Sequence, residues 1–180
     1  MMKKIIIIGS IISVFFLACL YNEHVKRNSM ITDIKSITLE WCVIGMDDQT
    51  ILFRDVITIT SDGWGQREYT AVWPYAKSES ETVHVVETGT VSQEEFAEAV
   101  KMYEHNQLIM IPDDFADLNV TPTLTSYQRL SITVKTGHGD YEKTGYNIDY
   151  SGRYRTRFMN CFFDSREIFM RHLEPVADSG

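Results

Sequence analysis

The stretch DVITITSDGWGQREYTAVWPY, residues 55 to 75, constrains the fold more than any other. Two runs rich in β-branched and aromatic residues flank a short polar turn, and Asp62 and Gly63 tolerate the positive φ that a tight reversal needs. The pattern predicts a β-hairpin, and its turn chemistry favours antiparallel neighbours.

The same reasoning extends along the chain. In SITLEWCVI, Ile37, Leu39, Trp41 and Val43 alternate on one side, the period of a half-buried strand, and Cys42 falls on the other side. TVHVVETGTV, after the polar run AKSESE, reads as a fourth strand. Ser92 to Glu95 form a capping-box pattern, so a helix is expected to begin there. Its buried face is Phe96, Ala99, Val100 and Tyr103, with Glu98, Lys101 and Glu104 in water and Asn106 as the C-terminal cap. LIMIPDDF leads into a polar loop, and LSITVKT and YEKTGYNIDY, separated by GHGD, form a second hairpin. From about Tyr154 a stripe of Phe158, Cys161, Phe162, Ser165 and Phe169 predicts a last helix, ended by Pro175. The expected fold class is α+β, a mostly antiparallel sheet of about six strands in the order β-β-β-β-α-β-β-α with two helices packed on one face.

Of the 180 residues, the N-terminal apolar segment and a short tether leave about 140 for one domain. A domain of that size buries roughly 68–70% of its unfolded surface and needs no metal or cofactor to be stable. The formal charge is −8, and removing Lys3 and Lys4 with a leader lowers it by two, to −10. Such an acidic exterior disfavours nucleic acid as a partner, because phosphate affinity comes from clustered Lys and Arg.

Lys3 and Lys4 precede IIIIGSIISVFFLACL, sixteen residues without a charge, the pattern of an export signal. A cut after Ala18 places Phe16 at −3, where a secretory cleavage site needs a small residue. A helix of sixteen residues reaches only about 24 Å, short of a hydrocarbon core of about 30 Å. Two readings stay open, a lipoprotein signal with Cys19 as the lipidated residue and an uncleaved membrane anchor. Both tether the domain to a membrane and face it towards the periplasm or cell exterior. The expected organisation is residues 1–18 as signal peptide or membrane anchor, 19–35 as tether, 36–175 as one α+β domain and 176–180 as a tail.

The SDG turn, TGTVSQEEFAEAVKMYE, LIMIPDDF and the paired strands LSITVKT and EKTGYNIDY together carry a resemblance. From SITLEW to the last helix, the layout resembles a family of bacterial envelope domains of unknown function often found behind lipoprotein signals. The resemblance implies the fold and the lipoprotein address, and it implies no reaction.

Candidate chemistry is sparse. An oxidising compartment would permit a disulfide between Cys42 and Cys161; two small buried residues is the alternative reading. His24, His84, His105, His138 and His172 show no metal-ligand spacing, and Asp113, Asp114 and Asp117 lack the pattern of a calcium loop. No nucleophile elbow or phosphate-cradling glycine loop occurs. Trp64, Tyr69, Trp73 and Tyr75 crowd one hairpin, where they either pack beneath a helix or offer stacking rings to a glycan or protein. Arg153, Arg155 and Arg157 sit at a helix start and either pair with Asp149 and Asp164 or invite an anionic partner. The sequence points to a membrane-tethered, noncatalytic binding or interaction module with an envelope protein or glycan as partner. The alternatives are a small envelope hydrolase using loops such as 113 to 126, or an inhibitor presenting the 61 to 66 turn or the 137 to 140 tip.

Overall fold

The computed structural model describes residues 16–21, 33–45, 50–72, 82–116, 126–148 and 152–176. The strands are β1 (Ile34–Gly45), β2 (Ile51–Thr60), β3 (Trp64–Val72), β4 (Thr82–Thr90), β5 (Asp114–Ala116), β6 (Ser126–Thr136), β7 (Gly139–Tyr146) and β8 (Leu173–Pro175). Helix α1 covers Gln93–His105 and α2 covers Arg153–Met170; a 3-10 turn spans Leu108–Met110, and residues 16–21 are helical.

The strands form one sheet in the order β5-β7-β6-β1-β2-β3-β4-β8. Every neighbouring pair is antiparallel except β5 and β7, which run parallel, so the α+β sheet is mixed. The expectation of six strands fell short by the two edges, β5 and β8. Each is three residues long, too short to express a period of two, and each is specified by its neighbour. Pro175 belongs to β8, where an edge strand tolerates its missing N–H, and α2 ends earlier, at Met170.

The predicted local signals are visible in the geometry. Gly63 takes φ 94° at the β2–β3 turn, where its N–H donates to Thr60 O at 2.9 Å. A Cβ there would approach the Val91 carbonyl oxygen to 2.5 Å, so the position excludes every other side chain. At α1, the Glu95 N–H donates to Ser92 Oγ and the Ser92 N–H donates to Glu95 Oε2, completing the capping box. Asn106 caps the other end with φ −79°, and the left-handed residue is the next one, Gln107.

Both helices lie on one face of the sheet. Ile37, Leu39, Ile57, Ile59, Ile132 and Val134 point to them from the central strands and meet Phe96, Ala99 and Tyr103 of α1 and Phe158, Phe162 and Phe169 of α2. All three phenylalanines of that α2 stripe are at most 1% exposed, and each such burial contributes about 1.5–3 kcal/mol. An aromatic ladder continues the same face outward, with Trp41 edge-on to Phe53 and Phe163, and Phe53 edge-on to Tyr69.

A charged knot sits within this apolar layer. Asp55, 2% exposed on β2, accepts from Arg67 Nε at 2.6 Å and Nη2 at 3.2 Å, and from Arg166 Nη2 of α2 at 2.7 Å. Arg67 Nη1 also donates to Glu87 Oε2 on β4 at 2.9 Å. Two arginines thus share two carboxylates across β2, β3, β4 and α2, which fixes the rotation of α2 on the sheet.

Candidate functional site

No described helix covers the opposite face of the sheet. Outward parity on β1, β6 and β7 brings Glu40, Arg129, Ser131, Glu142, Thr144 and Tyr146 together, because Glu40 pairs with Ser131, Ser131 with Thr144, and Arg129 with Tyr146. With Asp113, Asp114, Asp140 and Tyr141 from the sheet's edge, they line a groove of about 470 Å³.

The groove has a buried polar floor and a charged rim. Ser131 and Thr144 are 4% and 5% exposed, and their hydroxyls lie 3.1 Å apart. Thr144 Oγ1 reaches Glu142 Oε1 at 3.4 Å. At one end Glu40 is clamped from both neighbouring strands: Arg54 Nε donates to Oε1 at 2.8 Å and Arg129 Nη2 donates to Oε2 at 3.0 Å. Burial pushes the Glu40 carboxyl up, but the hydrogen bonds and charges of Arg54 and Arg129 outweigh it and hold the group below its usual range. At the other end Lys143 Nζ donates to Asp113 Oδ1 at 2.5 Å, and this bond holds Asp113 low as well. Carboxylates fixed as anions by guanidinium and ammonium partners are poor proton shuttles and good hydrogen-bond acceptors. The arrangement suits recognition.

The two internal cysteines do not pair. Cys42 lies on the open face, in register between Arg54 and Arg129, whereas Cys161 lies in the α2 core. The sheet separates them, and both are free thiols, which corrects the disulfide reading in favour of two small buried residues. Burial raises the Cys42 thiol and pushes Cys161 up to about 12, so neither is a thiolate near neutrality. Cys19 is exposed within the helical residues 16–21. Among the described residues no helix is long and apolar enough to cross a membrane, and no three potential metal ligands gather.

The aromatic hairpin divides. Trp64 is 46% exposed at its tip, Tyr69 turns to the helix side, and Trp73 and Tyr75 lie outside the described residues. At the start of α2, Arg157 turns back to Gln107, donating from Nη1 to Oε1 at 3.2 Å and from Nη2 to the carbonyl oxygen at 3.3 Å. Arg155 stacks over the Tyr154 ring at 5.9 Å, and Arg153 is exposed. Asp149 lies outside the described residues, and Asp164 makes no ion pair among them. Asp164 is instead raised by burial and by neighbouring Glu167.

The groove residues carried one sequence signal, polar side chains at the outward parity of LSITVKT and EWCVI. Grouping them needed the register between β1, β6 and β7, which strands 89 residues apart in sequence do not announce. No protein-family model matches the chain, and no curated protein matches it.

Proposed function

We propose that this chain is a membrane-tethered, noncatalytic binding module of the bacterial cell envelope, a lipoprotein domain that receives its partner in the groove on the open sheet face. The export-signal pattern, Ala18-Cys19 and the resemblance to envelope lipoprotein domains support the address. The observation that carries the role is the groove's electrostatics, a buried hydroxyl floor beside carboxylates kept ionised by Arg54, Arg129 and Lys143. Such groups hold charge and orientation through ordinary pH changes, as a receptor surface requires.

Two experiments test the reading. Intact-mass measurement of the membrane-extracted protein is expected to show loss of Met1 to Ala18 and a lipid on Cys19; retention of those residues would overturn the lipoprotein address. For the binding role, Glu142→Lys changes an exposed groove wall without touching the core. Its thermal unfolding is expected to match the wild type while envelope partners that co-purify with the wild type are lost. Undiminished co-purification would contradict the groove.

A further inference from the structure

The open-face groove does not include Arg153 and Arg157 of α2. They border a second hollow of about 410 Å³, between the turn that follows α1 and the first turns of α2, lined by Gln107, Met110, Pro112, Arg153, Tyr154 and Arg157. Arg153 is exposed and makes no ion pair among the described residues. Arg157 is bonded to Gln107, an uncharged side chain, so its positive charge is oriented without being neutralised. No acidic residue stands in the first turn of α2. Beside these cations, Met110 and Tyr154 are 45% and 36% exposed. On a chain of formal charge −8, a hollow that is basic and apolar is a local reversal of the surface.

We propose that this hollow docks an acidic segment of a partner protein, with carboxylates on the guanidinium groups of Arg153 and Arg157 and one apolar side chain on Met110 and Tyr154. The inference rests on the binding-module reading and adds the partner's chemistry. Guanidinium forks match single carboxylates in plane, and an oriented fork loses little freedom on binding. A lipid headgroup is the competing anion, and the exposed Met110 and Tyr154 beside the cations favour a peptide that brings an apolar side chain with its carboxylates. β1 begins at Ile34, opposite Thr136, and ends at Gly45, opposite Ser126. Tyr154 packs on Phe115, which pairs with Gly145 opposite Leu130, and Leu130 pairs with Trp41, so the hollow lies about level with Trp41. From Ile34 to Trp41 the strand runs seven residues, roughly 23 Å.

The test uses the full-length chain in detergent micelles and a fluorescent peptide of six glutamates around one phenylalanine, with the glutamine version as comparison. The acidic peptide is expected to bind more tightly, to weaken with added salt, and to lose about fivefold or more in affinity with Arg153→Glu. Tyr154→Ala is expected to weaken it too, and Lys101→Glu on the outer face of α1 is expected to leave it unchanged. Equal binding of the two peptides, or acidic-peptide binding indifferent to Arg153→Glu, would overturn the proposal. So would Arg153-dependent binding to phosphatidylglycerol vesicles without binding of the acidic peptide. Those results leave the Glu142→Lys outcome untouched, so failure here is distinct from failure of the groove.

Discussion

Asp55 shows how much of this molecule's specificity rests on one side chain. It is nearly inaccessible and takes three N–H donors from two arginines on different elements. Removing one partner of a buried charge cluster leaves the others uncompensated, which costs about 3–5 kcal/mol. Asp55→Asn is expected to lower stability by that amount in urea unfolding, with the helical signal of α2 lost in the same transition; a change below about 1 kcal/mol would show that water screens the knot. Glu95 provides the pH dependence. Hydrogen bonds from the Ser92 hydroxyl and from His172 hold its carboxyl at about 2, against 4.5 for the free group. A depressed acid stabilises the fold above its unfolded value, and that contribution disappears as pH falls from 4.5 towards 2. Glu95→Gln is expected to flatten the stability profile across that window, measured by chemical unfolding at stepped pH. Neither residue stands out in the sequence as a hub. Asp55 opens a β-rich run that reads as ordinary alternation, and its partners lie 12 and 111 residues away.

Among the elements, legibility followed length. α1 was readable because the capping box and the Phe96, Ala99, Val100, Tyr103 face are local signals, and all four residues are buried as their spacing implies. Ser92→Ala is expected to cost about 1 kcal/mol, read by urea unfolding, because it removes the acceptor for the Glu95 N–H. The α2 stripe was equally plain, and Phe162→Ala is expected to cost about 3–5 kcal/mol by the same measurement through the cavity it leaves. β5 and β8 were invisible because three residues carry no period and owe their strand geometry to β7 and β4. The groove lay between these extremes. Its polar residues could be assigned to an outward face one strand at a time, yet their convergence is a property of register.

At the scale of the molecule, two helices cover one face of an eight-stranded sheet, and no described helix covers the other. The chain enters the sheet at the Ile34 end, and the arginine hollow lies about level with Trp41, seven residues along β1. On the proposed tether, one end of the domain adjoins the membrane and the groove and hollow are offered beyond it. A partner is therefore expected to touch the molecule at the groove and not on the outer face of α1. The most direct measurement is site-specific photo-crosslinking in intact envelopes, with the reactive residue placed at Glu142 in the groove and, separately, at Lys101 on the outer face of α1. A discrete adduct is expected from position 142 and none from position 101. Equal adducts from both positions, or an adduct from position 101 alone, would contradict that expectation.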